Sequence, residues 1–284
     1  MYYIENKDKL GAIEKAFTII KIQDNKLILP INQIEELKEK QSIKLAKKTY
    51  KLLKKTHSNK IVLSKELQKN EIYKNLLYSY GYDIVDGKWL FEAISCKALE
   101  YIVKKLNLKK EETQVSVLVN SLTDYTLENI KNISKEYKTL NIVTNHIEKF
   151  KKLENKIYDE NGLMITITNN KKKSLAKSKI IVNIDFPKEL INKYNIFDEA
   201  IIVNINGGMK INKKRFNGLV INDYEIKVGP KSIKDYIGDF SKYYIKHLYE
   251  AGFYKNIPFY DFQKKINDDK LEVVELYGIN GKIL

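Results

Sequence analysis

The chain has 284 residues, 43% hydrophobic and 31% charged, with only 4 prolines. That balance is long enough for two ordinary domains and argues against long disordered linkers. The formal charge is +15, yet Arg215 is the only arginine among 51 basic residues. Arginine's planar fork is the preferred tool for phosphate and guanine contacts, and Lys, Asn, Ile and Tyr abound as in an A- and T-rich genome. The lysines therefore read as solvated surface, and nucleic acid is not the favoured partner. No apolar run approaches the roughly 18 to 20 residues that cross a bilayer. Glu5 and Asp8 interrupt the lysines of the N-terminus, unlike a signal peptide. The single Cys96 excludes an internal disulfide and reads as a small buried residue in a reducing compartment, so a cytoplasmic protein without membrane attachment is expected.

In chain order, the apolar segments Ala16–Ile22 and Leu27–Ile31, separated by Gln23–Lys26, predict a hairpin. Helical spacing of Ile34, Leu37, Ile43, Leu45, Ala46, Tyr50 and Leu53 predicts one long amphipathic helix from Asn32 to about His57. Lys60–Leu63 reads as a strand, Lys65–Tyr80 as a helix ended by Gly81, and Tyr82–Val85 as a strand. One continuous helix from Lys88 to Leu106 then connects to a second lobe, with the boundary near residue 112. Beyond it strands and helices alternate: strands at Val115–Val119, Leu140–Thr144, Leu163–Thr168, Ile180–Ile184 and Ala200–Ile205, and helices at Thr126–Tyr137, Ile147–Asp159 and Lys172–Lys177. Such apolar strands, each followed by a helix, predict a doubly wound parallel sheet. Gly218–Val228 reads as a strand or a hairpin around Asn222 and Asp223. After Pro230, a stripe of Ile233, Tyr236, Ile237, Phe240, Tyr243, Tyr244, His247 and Leu248 predicts a docked helix. Pro258 opens another helix, and Leu271–Tyr277 is a closing strand. No internal repeat is evident. The expected fold is α/β with two lobes: 1–112, an N-terminal lobe with its connecting helix, and 113–284, a Rossmann-like lobe with C-terminal helices.

In open parallel sheets, ligands bind beyond the carboxyl ends of the strands. A dinucleotide site requires Gly-x-Gly-x-x-Gly after the first strand of such a lobe, so that the backbone can approach pyrophosphate. This chain has Asn120, Ser121, Leu122, Thr123, Asp124 and Tyr125 there, with no glycine and with a negative charge at Asp124. Ordinary dinucleotide binding is disfavoured, and Asp124 or Thr126 is the expected cap of the next helix. No carboxylate stands directly at the end of the second strand to grip the ribose of NAD. Asn145, His146 and Lys149 stand there instead and suit a 2′-phosphate, so no cofactor is expected and NADP is the form to test. In the first lobe, Lys65 after one strand, and Asp86 and Lys88 after the next, are candidate proton-transfer residues, with Trp89 able to stack on a flat substrate. In the second lobe Asn206, Gly207 and Gly208, after the strand ending at Ile205, either line a ligand crevice or make a tight turn, and Lys171–Lys179 and Lys210–Arg215 are two basic runs that form one patch if they share an edge. His57, His146 and His247 have no partner at metal-ligand spacing, and no metal is expected.

Leu140–Asp185 resembles the cofactor lobe of the shikimate dehydrogenase and glutamyl-tRNA reductase group. There the second strand ends in a short polar motif, here Thr144, Asn145 and His146, and Ser174–Asp185 is similar to the later part. The resemblance implies an NADP-linked oxidoreductase, but the glycine loop departs from it. The whole chain also resembles a family from AT-rich Gram-positive anaerobes to which no function attaches. The expected function is therefore a non-catalytic Rossmann-like protein that binds a protein partner or a small molecule. An NADP-dependent oxidoreductase is the alternative, and nucleic-acid binding through lysine patches the next.

Overall fold

The computed structural model describes residues 1–7, 19–31, 37–56, 58–162, 164–229, 240–253 and 257–284. Several expectations lie outside these residues: Ala16–Thr18 of the hairpin, Asn32–Glu36 and His57 of the long helix, Leu163 of its strand, and Pro230, Ile233, Tyr236 and Ile237 of the stripe.

The first half contains β1 (Tyr2–Asn6), β2 (Lys21–Gln23), β3 (Lys26–Leu29), α1 (Glu39–Leu53), β4 (Lys60–Leu63), α2 (Lys65–Gln68), α3 (Glu71–Ser79), β5 (Asp83–Ile84), α4 (Lys88–Ala93) and α5 (Ser95–Leu106). There follow β6 (Gln114–Leu118), α6 (Asp124–Glu136), β7 (Thr139–Val143), α7 (Ile147–Asn161), β8 (Thr166–Thr168), α8 (Lys171–Leu175), β9 (Ile180–Asn183), α9 (Lys188–Ile191), β10 (Ile201–Asn204) and β11 (Leu219–Ile221). The chain ends with β12 (Asp223–Lys227), α10 (Ile245–Phe253), α11 (Phe259–Asp268), β13 (Glu272–Gly278) and β14 (Gly281–Lys282).

Two compact units result: Met1–Gly87 with Gly229–Asn256, and Lys88–Val228 with Ile257–Leu284. This division differs from the boundary near 112 because α4 and α5 bury their apolar faces in the second unit. Phe91 stacks on Tyr224 at 4.4 Å and the Tyr101 hydroxyl donates to the Val274 carbonyl at 2.7 Å. Residues 240–253 belong with the first unit, where the Tyr243 hydroxyl donates to the buried Glu5 carboxylate at 3.1 Å.

The first unit holds a sheet of order β2-β3-β1-β4-β5, parallel apart from the β2–β3 hairpin. α1 buries Leu45, Ala46 and Leu53 in a cluster with Ile4, Leu27 and Leu29 of the sheet, and the Thr49 hydroxyl hydrogen-bonds the Tyr73 hydroxyl of α3 at 2.8 Å. The segment read as one helix over 65–80 is two, because Asn70 accepts the Tyr73 amide at 2.9 Å and caps a new start. α4 and α5 likewise divide at Ile94, whose φ of −106 leaves the helical region.

The second unit is a sheet of order β11-β10-β9-β6-β7-β8 in which every neighbouring pair is parallel. Numbered within the unit, this is 6-5-4-1-2-3, the doubly wound order of dinucleotide-binding folds. The protein is thus α/β with two lobes, the second Rossmann-like and lacking the glycine-rich loop. β9 and β10 are buried along their whole length, as a sheet covered on both faces requires. Each fully buried Ile or Val there contributes about 1.5 to 3 kcal/mol. Of the strand or hairpin expected over Gly218–Val228, the structure makes two strands that do not pair but meet at a corner at Asn222: β11 ends the parallel sheet and β12 enters an antiparallel sheet with β13 and β14. The corner forms because the Asn222 side chain accepts the Met209 amide and donates to the Met209 carbonyl, at 2.7 and 2.8 Å.

Candidate functional site

The switch point of the second sheet lies between β6 and β9, the position at which doubly wound sheets form a ligand crevice. Asparagines at the carboxyl ends of the strands build its floor. Asn183 donates to Asn204 at 2.7 Å and Asn204 to Asn222 at 3.1 Å, a ladder running from β9 through the end of β10 to the corner after β11. Asn183 also accepts the Phe186 amide and donates to the Phe186 carbonyl, at 3.0 and 3.1 Å, which folds residues 183–186 into a fixed turn. Asn206 donates to the Ile184 carbonyl at 2.8 Å and braces that turn.

The turn delivers Asp185 to the loop after β6. One carboxylate oxygen accepts the Asn120 amide and the other the Ser121 amide, both at 2.7 Å. Two backbone amides aimed at a pair of anionic oxygens are the arrangement with which a doubly wound fold receives a phosphate, and here the anion belongs to the chain itself. The Asn120 side chain accepts the Asn145 amide at 2.9 Å, tying the loops after β6 and β7 together. The Lys171 ammonium donates to the Asn145 side chain and lies 5.8 Å from the centre of the Phe186 ring.

The structure brings together the cofactor candidates Asn120, Ser121 and Asn145, but as members of this internal network. His146 and Lys149 are exposed at the start of α7; the His146 amide donates to the Thr144 hydroxyl at 3.1 Å. Leu122 is exposed, and Tyr125 turns to a cluster with Trp89, Phe259 and Phe262, its hydroxyl on the Ile257 carbonyl at 2.7 Å. Trp89 thus anchors α4. The cap of α6 is Thr123, which accepts the Thr126 amide at 3.1 Å, in place of Asp124 or Thr126. Gly207 and Gly208 both have positive φ, +67 and +64, and make the tight turn after β10.

Among the catalytic candidates, Lys65 and Asp86 fall in the first unit and Lys88 at the start of the second. Lys65 follows β4, where Ser64 donates to the Asn6 side chain at 3.2 Å, and its ammonium lies 5.6 Å from the centre of the Tyr244 ring. Tyr244 meets His247 edge-on at 5.1 Å, and His247 hydrogen-bonds the Asp86 backbone. Lys65 and Asp86 are therefore linked through two residues flanking and opening α10. His247 is 4% exposed, its Nδ1 has no partner, and burial pushes its pKa down to about 3, with Lys246 adding to the shift and the Asp86 carboxylate and backbone opposing it. It is a neutral imidazole at neutral pH.

The two basic runs each send a member to residues 194–199. Lys179 pairs with Glu199 at 3.1 Å and lies over the Phe197 ring, and Lys213 donates to the Tyr194 carbonyl. Cys96 packs its thiol beside the Asn129 carbonyl at 3.6 Å, and burial raises its pKa to about 12, so it is an unreactive thiol. No helix among the described residues is long and apolar enough to cross a membrane. Outside the crevice, a groove of about 640 Å³ runs between α5 and β13, lined by Lys97, Tyr101, Lys104 and Glu272 among others. Another of about 560 Å³ lies beside the edge strand β8, where Met164 and Tyr158 are 81% and 58% exposed.

Sequence reasoning missed Asp185 and the ladder that holds it. A signal was present: Ile-Ile-Val-Asn-Ile occurs at both 180–184 and 201–205, and β9 and β10 pair with these copies in register, Asn183 opposite Asn204.

The strand order and this crevice define a Rossmann-like α/β protein whose phosphate position is held by its own carboxylate. No protein-family model matches the chain and no curated protein is significantly similar to it. Solved structures similar to it include D-mandelate dehydrogenase of Rhodotorula graminis, with 8% identity over 75% of this chain and 76% of that one and a TM-score of 0.37. A shikimate 5-dehydrogenase-like protein is 10% identical over 78% and 85%, with a TM-score of 0.31. The dipicolinate synthase A chain of Bacillus subtilis is 12% identical over 51% of this chain, with a TM-score of 0.32; the match spans 48% of that protein.

Proposed function

We propose that this is a non-catalytic, cytoplasmic Rossmann-like protein that binds a protein partner or a small molecule and takes no dinucleotide. The observation that carries this reading is the Asp185 carboxylate on the Asn120 and Ser121 amides. A pyrophosphate placed there meets both a negative charge and amides already in use. Two unit charges about 4 Å apart repel by about 4 kcal/mol at an effective dielectric constant of about 20. At about 1.4 kcal/mol per decade, that is nearly three orders of magnitude in affinity. Exposed Met164 and Tyr158, beside an edge strand, and the groove between α5 and β13 support a binding role.

One observation favours the alternative, an NADP-linked oxidoreductase: Asn145, His146 and Lys149 are all exposed after β7, and the Glu148 carboxylate between them is paired with Lys151 at 2.6 Å. A thermal-shift titration with NADPH, NADH, ATP and a short DNA duplex, followed by calorimetry, separates the readings. The proposed function expects no shift from either dinucleotide. Saturable stabilisation by NADPH, weakened by Asn145→Ala or Lys149→Ala, would overturn it and turn the search for a substrate to Lys65 and Asp86.

A further inference from the structure

We infer that Asp185 is the residue that closes the second unit to anionic ligands, and that the two amides it occupies, with Lys171 beside them, take a pyrophosphate-type group once that carboxylate is removed. The inference deepens the proposed function and rests on its reading that the unmodified crevice takes no dinucleotide.

Four features carry it. The anion now in the crevice is held as a ligand would be, one oxygen per amide at 2.7 Å each, by a residue more than 60 positions away in sequence. The amides are in place because the Asn120 side chain, bonded to the Asn145 amide at 2.9 Å, fixes the loop independently of Asp185. A cation stands at the same edge, since Lys171 reaches the Asn145 side chain and lies over the ring of Phe186, the neighbour of Asp185. The turn carrying Asp185 is held by Asn183 and Asn206, whose bonds are to backbone and to Asn204, so they do not require the carboxylate. Removing the carboxylate therefore leaves two free amides, a nearby ammonium and an intact frame. An incoming phosphate oxygen would accept the hydrogen bonds that Asp185 accepts now.

The test is calorimetry and phosphorus NMR with inorganic pyrophosphate on the whole chain, comparing the natural protein with Asp185→Ser and Asp185→Asn. Asp185→Ser is expected to gain saturable binding tighter by at least a hundredfold, the order that removing an adjacent like charge supports. The amide shifts of Asn120 and Ser121 should move on titration, and Lys171→Met in that background should weaken the gain. Asp185→Asn keeps the turn and one acceptor, and is expected to gain less. It decides the matter in the same titration if the serine variant does not fold. A folded variant that binds pyrophosphate no better than the natural chain overturns the inference and leaves the proposed function standing. A natural chain that already binds pyrophosphate or NADPH overturns the reading beneath both.

Discussion

Lowering the pH from 7 to 5 is expected to cost the protein about 2 kcal/mol of stability through one residue, His247. The imidazole is buried against Gly87 and Tyr244, and burial and Lys246 hold its pKa near 3 against an ordinary value of 6.5. The unfolded chain takes up a proton at this residue as the pH falls through 6.5, while the folded chain does not until about pH 3. Unfolding is therefore favoured increasingly across that window, by up to about 1.4 kcal/mol per pH unit, and the contribution is constant above it. Against a total of about 5 to 15 kcal/mol for an ordinary domain, the loss is easily measured. The assay is urea unfolding at pH 7 and pH 5 for the natural chain and for His247→Gln. Because Nδ1 has no partner, the bond to the Asp86 backbone uses the other ring nitrogen, and a glutamine amide reaches the same place without titrating. The variant is expected to lose most of the extra pH dependence. Equal pH dependence in the two proteins would show that His247 does not stay neutral in the fold.

Asn183→Ala strips a partner from Asn204 and two from Phe186, and is expected to destabilise the protein by about 2 to 3 kcal/mol in urea unfolding. Because the same turn positions Asp185, hydrogen exchange at the Asn120 and Ser121 amides should quicken in that variant; unchanged exchange would separate the ladder from the crevice. Gly218→Ala would place a Cβ 2.0 Å from the Ala200 carbonyl oxygen, where backbone must move, so β10 and β11 should separate and the melting temperature should fall sharply. Gly81→Ala meets nothing within 4 Å and is strained only by its φ of +86, so about 1 kcal/mol is expected there.

The sheet of the second unit was legible because its strands are short, nearly uninterrupted apolar runs between helical stretches, the pattern that burial on both faces imposes. β1 was not, because it ends in Glu5 and Asn6, polar residues that are buried only because Tyr243, Lys26 and Ser64 come to them from elsewhere in the first unit. Helical periodicity runs straight across Ile94 and Asn70, and local capping, which periodicity does not register, divides the helices there. At Asn222 the same blindness has a tertiary cause, since Met209 and Asn204 supply the bonds that turn the chain out of one sheet and into another.

The loop after β6 shows how one expectation, that ordinary dinucleotide binding is disfavoured, can come to rest on a feature of the chain other than the one the sequence offers. The loop from Asn120 to Tyr125 lacks glycine and carries Asp124, and on that ground the sequence disfavours a dinucleotide there. Tyr125 turns to the Ile257 carbonyl and Leu122 is exposed, and the backbone of the loop presents two amides at the switch point. What the structure adds at those amides is a charge, the Asp185 carboxylate, and it comes from the loop after the fourth strand of the sheet. Steric loss of a site and occupation of a site leave different sequences open to the protein. The first would need the whole loop rebuilt before an anion could return, whereas the second needs one carboxylate removed from a turn that asparagines already hold.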